Sequence, residues 1–289
     1  MTRKFGLRSL RRRFPTDAAC LRHLFKRFHK SQCSCGGRFK AMKHRPKFHC
    51  TRCSRQISPT VGTIFEKSRV PLTLWFHVLM MFSNGKCGLS ANTVQRDLEV
   101  TYKCAWRMVH LIRGTLQQSE EPLKGEVEFD LAYFGGKRKA GKNQERMRDV
   151  FKAKTKVLAA IERKRQARVQ VVASGSAKNH KDFLWQNVST KDTKLMTDKA
   201  LQLDNVARPY ERHSVHHKKR EFVRGRVHTQ TVDWFWSNTK GSLRGTHKSV
   251  SPKYLQSYLD GFVFLYNNAH SDKQRFEALV DTVLRVRAE

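Results

Sequence analysis

The chain has 289 residues, with 58 lysine and arginine residues against 24 acidic ones, and a formal net charge of +34 at pH 7. Its 39% hydrophobic residues, including 18 Phe and 5 Trp, can form one large core or two to three smaller ones, which excludes a wholly disordered protein. No apolar run approaches the roughly 20 residues that span a bilayer, so no membrane partner is expected. The charge predicts a polyanionic partner such as nucleic acid.

The first residues, Met1 to Phe14, are rich in Arg and contain no acidic residue. This composition is typical of a basic arm that lies along DNA phosphates, and it also resembles a mitochondrial presequence. We favour the arm, because the excess of basic residues continues along the whole chain. The sequence therefore predicts a basic N-terminal arm with a short helix over residues 1–30.

Four of the seven cysteines form two close pairs, Cys33 with Cys35 and Cys50 with Cys53. Two pairs separated by a basic stretch are typical of a zinc ribbon, in which each pair lies on a turn and one tetrahedral Zn²⁺ joins the turns. Glycines follow the first pair, where a tight turn needs them. These observations predict a zinc ribbon over residues 31–66.

The ligand set of this ribbon leaves alternatives open. The first pair is separated by one residue instead of the usual two, so His44 or His49 can replace one thiolate, and a metal-free loop is the remaining possibility. The other cysteines lie in segments that read as helical and are expected to be buried thiols: Cys20, Cys87 and Cys104.

The pattern after the ribbon is helical over residues 67–120. An apolar run at 71–82 opens with a proline, which favours the first turn of a core helix. Ser90 is a natural N-cap for a second helix at 91–98, and a third helix follows from residue 103.

The last two of these helices are joined by a short turn, and the second is basic. This arrangement predicts a helix-turn-helix unit whose second helix enters the major groove of DNA. Lys103 and Arg107, one turn apart on that helix, are the predicted DNA contacts. The alternative is a plain helical hairpin, in which Trp106 and Met108 serve only the core.

The pattern changes to strands near the middle of the chain. Residues 127–130 alternate and run into a turn signal at 133–136, and residues 156–161 and 168–173 predict a hairpin beside them. A short helix is expected at 181–188. The basic, His-rich segment 208–227 shows no clear pattern, and we expect either a loop near DNA or a solvated loop.

Three acidic residues stand in apolar surroundings: Asp130, Asp198 and Asp233, with Lys240 seven positions after the last. The first two are predicted at strand ends, and the third on a helix where it shares a face with Lys240. Several converging carboxylates bind the divalent cations of two-metal phosphoryl-transfer sites. The pattern describes a ribonuclease-H-like catalytic core, although a single Asp is more often a helix cap, a turn residue or an ion-pair partner.

A series of motifs resembles the zinc-ribbon DDE transposases of ISXO-like insertion sequences, the bacterial relatives of eukaryotic Merlin transposons. The resemblance covers roughly residues 15–280. The motifs occur in the order expected for that family: 35–36, 50–56, 62–65, 68–72 with 75–76, 102–103 with 105–106, Tyr133 with 135–136, and 228–229 with 235–237.

The resemblance implies a ribonuclease-H-like α/β catalytic domain over residues 121–289, preceded by the zinc ribbon and the helix-turn-helix region. Asp130, Asp198 and Asp233 would hold Mg²⁺ or Mn²⁺ and catalyse strand cleavage and joining at the ends of a mobile element. The implied partners are double-stranded DNA with terminal inverted repeats, target DNA, and further copies of the chain in a homo-oligomer.

The same resemblance implies DNA contacts downstream of the acids. It implies that Lys240 lies near the DNA ends. From side-chain chemistry we expect Lys240, with Arg244 on the following turn, to contact phosphate as hydrogen-bond donors, because neither side chain is a base at ordinary pH. His247 matches a further family signature. Such a protein is expected in the cytoplasm, at the nucleoid, of a bacterium, or in the nucleus of a eukaryote.

The first cysteine of the ribbon is shifted by one position from the family pattern, and three positions of the catalytic region also depart from it. Leu131 stands where the family has Glu after its first catalytic Asp, Gln230 stands where it has Asn, and Asp233 stands where it has Glu. The shorter Asp233 side chain changes the reach of a metal ligand by one methylene. The alternative to an active transposase is therefore a catalytically inactive or domesticated sequence-specific DNA-binding protein that retains the fold.

Overall fold

The computed structural model describes the ranges 4–43, 45–135, 154–163, 166–199 and 203–285. The chain divides into two units: Met1–Leu116 with Asn268–Glu289 forms the first, and Gln117–Asn267 forms the second. Within the described ranges, no helix combines the length and the apolar character that a membrane crossing requires.

The first unit begins with helices α1 (Leu7–Arg13) and α2 (Asp17–Phe28). Leu10 of α1 is buried, and Phe14 is buried after it, with its ring near that of Phe276. The arginines in the last turn of α1 are exposed. The basic N-terminal segment therefore combines an apolar side packed into the unit with a cationic surface.

The cysteine-rich segment forms a three-stranded antiparallel sheet, in the order β1 (Phe39–Ala41), β2 (Phe48–Cys50) and β3 (Gln56–Ile57). Phe48 of the central strand is buried, and its ring stacks on Phe25 of α2 with centroids 4.0 Å apart. This small sheet holds the cysteine turns in place.

Three helices follow: α3 (Leu72–Asn84), α4 (Ala91–Leu98) and α5 (Tyr102–Gly114). The predicted core helix after the proline is confirmed, because Trp75 and Phe76 are fully buried. The predicted N-cap is also confirmed, since Oγ of Ser90 accepts a 3.1 Å hydrogen bond from the backbone N–H of Thr93.

The second unit contains a mixed five-stranded sheet in the order β6-β5-β4-β7-β8. Its strands are β4 (Leu123–Phe134), β5 (Thr155–Glu162), β6 (Ala167–Val172), β7 (Val188–Asp198) and β8 (Glu211–Val215). The β4–β5 and β5–β6 pairs are antiparallel, whereas β4–β7 and β7–β8 are parallel. The hairpin predicted from alternation is confirmed by β5 and β6.

Helices and short strands complete this unit. They are α6 (Ala177–Asn187), α7 (Leu203–Val206), a 3₁₀ turn (His217–Lys219), β9 (Val223–Arg224), β10 (Val227–His228), α8 (Gln230–Ser242), a π-helical turn (Leu243–His247) and α9 (Pro252–Asn267). The predicted helix at 181–188 begins earlier, at Ala177. The prediction of a loop over residues 208–227 is wrong. Strand β8 lies within this range, and the β9–β10 hairpin begins within it and ends at residue 228.

The two faces of the sheet bury different helices. Val127 and Phe129 of β4 share a buried cluster with Phe183 of α6. Ala132 of the same strand shares the opposite cluster with Phe235 of α8. Because side chains alternate along a strand, the even-numbered residues of β4 face α8.

The predicted position of Asp130 at the end of a strand is wrong. β4 continues to Phe134, which pairs with Thr155 of β5, so Asp130 lies within the strand. The turn signal starting at Tyr133 extends to Gly136, which lies outside the described residues. Backbone pairing with β5 therefore extends the strand through residues that read locally as a turn.

The chain returns to the first unit with α10 (Asp272–Arg285). Glu277 of α10 pairs with Arg13 and Arg27, and His23 Nε2 lies 3.5 Å from its carboxylate. Burial by itself would raise the pKa of the Glu277 carboxyl group. The interactions with His23 and Arg13 have the larger combined effect and lower this pKa to about 2. The ion pairs fasten α10 to the first two helices.

Candidate active site and metal centre

The four predicted zinc ligands converge. The Sγ atoms of Cys33, Cys35, Cys50 and Cys53 all lie within 4.8 Å of one another. Cys33 Sγ is 3.7 Å from Cys53 Sγ, and Cys35 Sγ is 3.4 Å from Cys50 Sγ. Four thiolates at the usual ~2.3 Å from zinc would place their sulfur atoms about 3.8 Å apart, so this group fits a tetrahedral metal.

Glycine makes the first cysteine turn possible. The backbone N–H of Gly36 donates to the carbonyl of Cys33 at 2.9 Å, and Gly36 has a φ of +82°. A Cβ atom at Gly37 would lie 2.6 Å from Cys50 Sγ, closer than any side chain tolerates. The glycines expected after the first pair are thus required by both backbone conformation and space.

Within the second turn, the backbone favours the thiolate form of Cys50. The backbone N–H of Arg52 donates to Cys50 Sγ at 3.4 Å. Backbone hydrogen bonds from Cys53 and Arg52 lower the pKa of Cys50 to about 6, which favours the thiolate that binds metal. Within the described part of the chain His49 does not belong to this cluster, and His44 lies outside that part.

The remaining cysteines differ from one another. Cys20 is buried in α2 as expected, and Cys104 is partly buried in α5. Cys87 is exposed and lies in the turn after α3, so the expectation of a buried helical thiol is wrong there. Its position in an exposed turn between α3 and α4, outside the buried face of either helix, explains the difference.

The sheet register brings the first two acids together. Phe129 of β4 pairs with Thr197 of the parallel strand β7. The next residues of the two strands are Asp130 and Asp198, which therefore lie side by side on the same face. β7 ends at Asp198, so this acid does occupy a strand end as predicted.

Asp130 is held in a partly buried position beneath α8. The indole Nε1–H of Trp236 donates to its Oδ2 at 3.1 Å. Burial, reinforced by the charge of Asp233, raises the pKa of Asp130 to about 6, while Lys240 acts in the opposite direction. A carboxyl group with this environment gains from a nearby cation.

The charges of Asp233 and Lys240 both affect the pKa of Asp130, which is consistent with their predicted shared face of α8. The side chain of Asp233 is exposed and accepts a 3.2 Å hydrogen bond from the hydroxyl of Thr229. Partial desolvation, together with the charges of neighbouring acids, raises the pKa of Asp233 despite that bond. Lys240 Nζ lies 5.5 Å from the centre of the Phe134 ring, and burial lowers its pKa.

Asp198 contributes an exposed carboxylate to the same neighbourhood. Its charge acts on Asp233, and its Oδ2 lies 3.9 Å from Nδ1 of His217. Among the described residues, the cysteines are the group whose ligand atoms already meet the spacing of a metal site. The three aspartates are close enough to interact electrostatically but are spread more widely than the thiols.

Sequence reasoning missed two residues of this site. His217 follows β8, in the segment that showed no pattern. Glu128 is a fully buried carboxylate on β4 that contacts the beginning of α8. The signal for Glu128 was present in the sequence, because Glu126, Glu128 and Asp130 alternate along one face of a strand.

The predicted recognition helix presents a basic and aromatic surface. Lys103 and Arg107 of α5 are exposed, as is Tyr102. Trp106 is 36% exposed and stacks on His110 with ring centroids 4.7 Å apart, whereas Met108 is buried. The plain-hairpin alternative expects both Trp106 and Met108 in the core. Met108 is in the core, but Trp106 is also exposed to solvent.

The other two predicted DNA contacts lie in the π-helical turn after α8. Arg244 is exposed, and its Nε donates to the carbonyl of Lys240 at 3.3 Å. His247 is partly buried, and its ring packs edge-on against Tyr258 of α9. Arg244 is thus directed to solvent beside the acidic site, while His247 is held by packing.

Comparisons with known proteins identify the family of this chain. Residues 122–267, about half of the chain, match the ISXO2-like transposase domain. The protein therefore belongs to this transposase family, which confirms the resemblance drawn from the motif series. It is also 24% identical, over 228 residues, to an uncharacterized protein in transposable element ISH50 of Halobacterium salinarum, an alignment that covers 75% of this chain and 76% of the relative.

Proposed function

We propose that this protein is a DNA transposase that cleaves and joins DNA strands at the ends of a mobile element by two-metal phosphoryl transfer. The observation that carries the proposal is the register of β4 and β7, which sets Asp130 beside Asp198, while α8 brings Asp233 and Lys240 to the same place. Family membership supports the DNA substrate.

The fold proposed for the second unit is ribonuclease-H-like. A mixed sheet with two carboxylates on neighbouring strands and a third on a later helix supports it. Helices packed on both faces of the sheet give the carboxylates a rigid base, which a two-metal site requires.

The carboxylates fit hard divalent cations such as Mg²⁺ or Mn²⁺, which prefer oxygen ligands. Asp130, Asp198 and Asp233 would together hold the ions. When bound, such ions activate the attacking oxygen and stabilise the leaving oxygen. The raised pKa of Asp130 supports this fit, because a buried carboxyl group with a second acid nearby resists ionisation in the absence of a cation.

The basic side chains of the site would orient the phosphodiester. Lys240 lies next to Asp130 and Asp233, and Arg244 follows one turn later. Both would donate hydrogen bonds to phosphate oxygens and neutralise their charge. Neither acts as a base, so the chain provides electrostatic positioning and the metal ligands.

The first unit would supply DNA recognition. Zn²⁺ held by the four cysteines would stabilise the small ribbon, and α5 would enter the major groove with Lys103 and Arg107. The proposed partners are terminal inverted repeats, target DNA and further copies of this chain, because a mobile element has two ends to be processed. The proposed compartment is the nucleoid, or the nucleus in a eukaryotic host.

The test uses the full-length protein, labelled DNA that carries the terminal repeats flanking its own gene, and Mg²⁺ or Mn²⁺. Nicking at the repeat ends, followed by joining to a target plasmid, is the expected result. Specific binding without nicking would contradict the enzyme and support the inactive DNA-binding alternative. That alternative is favoured by Leu131 and Gln230, which depart from the family pattern.

A further inference from the structure

The beginning of α8 is capped by a side chain from a different element. Glu128 of β4 is 0% exposed, and its Oε2 accepts the backbone N–H groups of Thr231 at 2.7 Å and Val232 at 3.0 Å. The hydroxyl of Thr231 donates to Oε1 at 2.8 Å. A carboxylate here satisfies N–H groups that the first turn leaves unpaired, and it complements the helix dipole.

Thr229, the residue at the N-cap position of α8, does not cap the helix with its side chain. Its hydroxyl instead donates to Oδ2 of Asp233 at 3.2 Å. Glu128 therefore takes over a capping role that a threonine usually fills, and Thr229 is left to orient Asp233.

Arg163 balances the buried charge and holds the chain that leads into α8. Its Nε donates to Glu128 Oε1 at 2.7 Å, and its terminal nitrogens donate to the carbonyls of Arg226 at 2.9 Å and His228 at 3.0 Å. A buried carboxylate is tolerated only when it is paired and hydrogen-bonded in this way. The pair thus connects β4, the residue after β5, and the β10–α8 junction.

We infer that Glu128, with Arg163, is a positioning residue of the candidate active site, an inference that rests on the proposed function. Glu128 lies two positions before Asp130 on one face of β4, and Thr231 lies two positions before Asp233 on α8. Fixing Thr231 to Glu128 therefore fixes Asp233 relative to Asp130. Lys240, farther along the same helix, is oriented by the same contact.

Glu128 is not itself a metal ligand. Its oxygens accept hydrogen bonds from Arg163, Thr231 and Val232, and the side chain has no exposed surface. Binding a metal would require breaking several of these bonds in a buried place. Glu128 therefore affects catalysis through the position of α8.

The test compares Glu128→Gln with Glu126→Gln in the zinc-loaded full-length protein. Glu126 lies on the same face of β4 and also pairs with Arg163, at 2.9 Å, but it is partly exposed and pairs further with Arg226. Mn²⁺ binding is measured by electron paramagnetic resonance, with Asp130→Asn defining the background. Loss of an outer-shell partner typically weakens metal binding by about 10–100-fold, so we expect a loss in this range for Glu128→Gln and little change for Glu126→Gln.

A second readout does not depend on metal. The indole N–H of Trp236 reports the position of α8 against Asp130, and its nuclear magnetic resonance signal is assigned among the five tryptophans with Trp236→Phe. We expect this signal to shift in Glu128→Gln and to stay in place in Glu126→Gln. If Glu128→Gln does not fold, Thr231→Val replaces it, because it removes only the hydroxyl bond to Oε1.

The outcomes separate the two proposals. Wild-type Mn²⁺ affinity together with an unchanged Trp236 signal, in Glu128→Gln or in its replacement Thr231→Val, overturns the positioning role. Wild-type protein whose Mn²⁺ binding is insensitive to Asp130→Asn contradicts the proposed metal site instead. In that case the Trp236 signal alone decides whether Glu128 places α8.

Discussion

The indole N–H of Trp236 donates a 3.1 Å hydrogen bond to Oδ2 of Asp130 and joins α8 directly to the centre of β4. The same indole packs edge-on against Phe134, whose ring centre lies 5.5 Å from Nζ of Lys240. A continuous set of contacts therefore links the proposed metal-binding carboxylate to the proposed phosphate-binding lysine. Substitutions within this set should affect chemistry before they affect DNA affinity.

The first prediction separates catalysis from binding. Asp130→Asn or Asp198→Asn keeps the side-chain size but removes charge needed to hold a divalent cation, so cleavage and joining should fall by orders of magnitude. DNA affinity should barely change, because it is dominated by the 58 basic side chains. Gel-based cleavage and binding assays on the same DNA measure both quantities.

Asp182→Asn is the matched control for this experiment. Asp182 is exposed on α6, which packs against the face of the sheet opposite α8. The control should retain both cleavage and binding. Equal activity of Asp130→Asn and Asp182→Asn would exclude the proposed metal site.

The second prediction concerns the departure of Asp233 from the family pattern. Asp233→Ala removes the only proposed ligand on α8 and should abolish strand cleavage. Asp233→Glu restores the family's usual residue but adds a methylene, so activity should survive at a changed level. Measurable activity of Asp233→Ala in a cleavage assay would reject Asp233 as a ligand.

The third prediction follows from the pKa of Asp130, which is about 6 in the folded protein, whereas the ordinary pKa of an aspartate is 3.8. Because the folded pKa is raised, ionisation opposes folding: the penalty is absent below the unfolded pKa, grows between the two pKa values and is complete above pH 6. Asp130→Asn should therefore stabilise the metal-free protein at pH 8 by up to about 3 kcal/mol, and the gain should vanish near pH 4. Thermal unfolding of both proteins across this pH range measures the difference.

Mg²⁺ should act against this difference in stability. A cation bound at Asp130 offsets the cost of burying its charge and the repulsion from Asp233, so it should raise the unfolding temperature of the wild-type protein more than that of Asp130→Asn. A destabilising effect of Asp130→Asn at pH 8 without metal would show that Asp130 contributes structure through its charge.

Local sequence signals predicted much of this fold because they act over a few residues. The cysteine pairs, the cap at Ser90 and the alternation in β5 and β6 each depend on neighbours in the sequence. The length of β4 was not predictable in this way, since residues beyond Asp130 resemble a turn and become strand only through pairing with β5. Strand β8 was hidden for the same reason, because its polar residues 211–214 gain their strand conformation by pairing with β7.

The sequence predicted the acidic residues of the candidate site but not the residue that positions them. Asp130, Asp198 and Asp233 stand out in a basic chain, and their chemical type alone suggests a role. Glu128 is recognised only when the start of α8, more than 100 residues later, is seen to lie against it. Contacts between residues this far apart in the sequence cannot be recognised from neighbouring residues, and the alternation along β4 is the one local sign of Glu128.

The fourth prediction is that the ribbon binds one zinc ion per chain. Replacing Cys50 or Cys53 by Ser should remove the metal and unfold the ribbon, because metal binding supplies folding free energy to so small a module. His49→Ala is the control and should retain zinc, since His49 does not belong to the cysteine cluster. Elemental analysis of freshly purified proteins gives the metal content, and a zinc-free wild type would contradict the site.

The last prediction tests recognition by α5, where Lys103 and Arg107 are exposed one turn apart. Replacing both by Gln should weaken binding to the element's end more than binding to random DNA, by about 1–3 kcal/mol for each side chain that reads a base. Arg11→Gln with Arg12→Gln is the control, because these exposed arginines of α1 should contribute only general attraction. Titrations at several salt concentrations distinguish the cases: equal losses on both DNAs identify Lys103 and Arg107 as phosphate contacts, and no loss rejects the helix-turn-helix assignment.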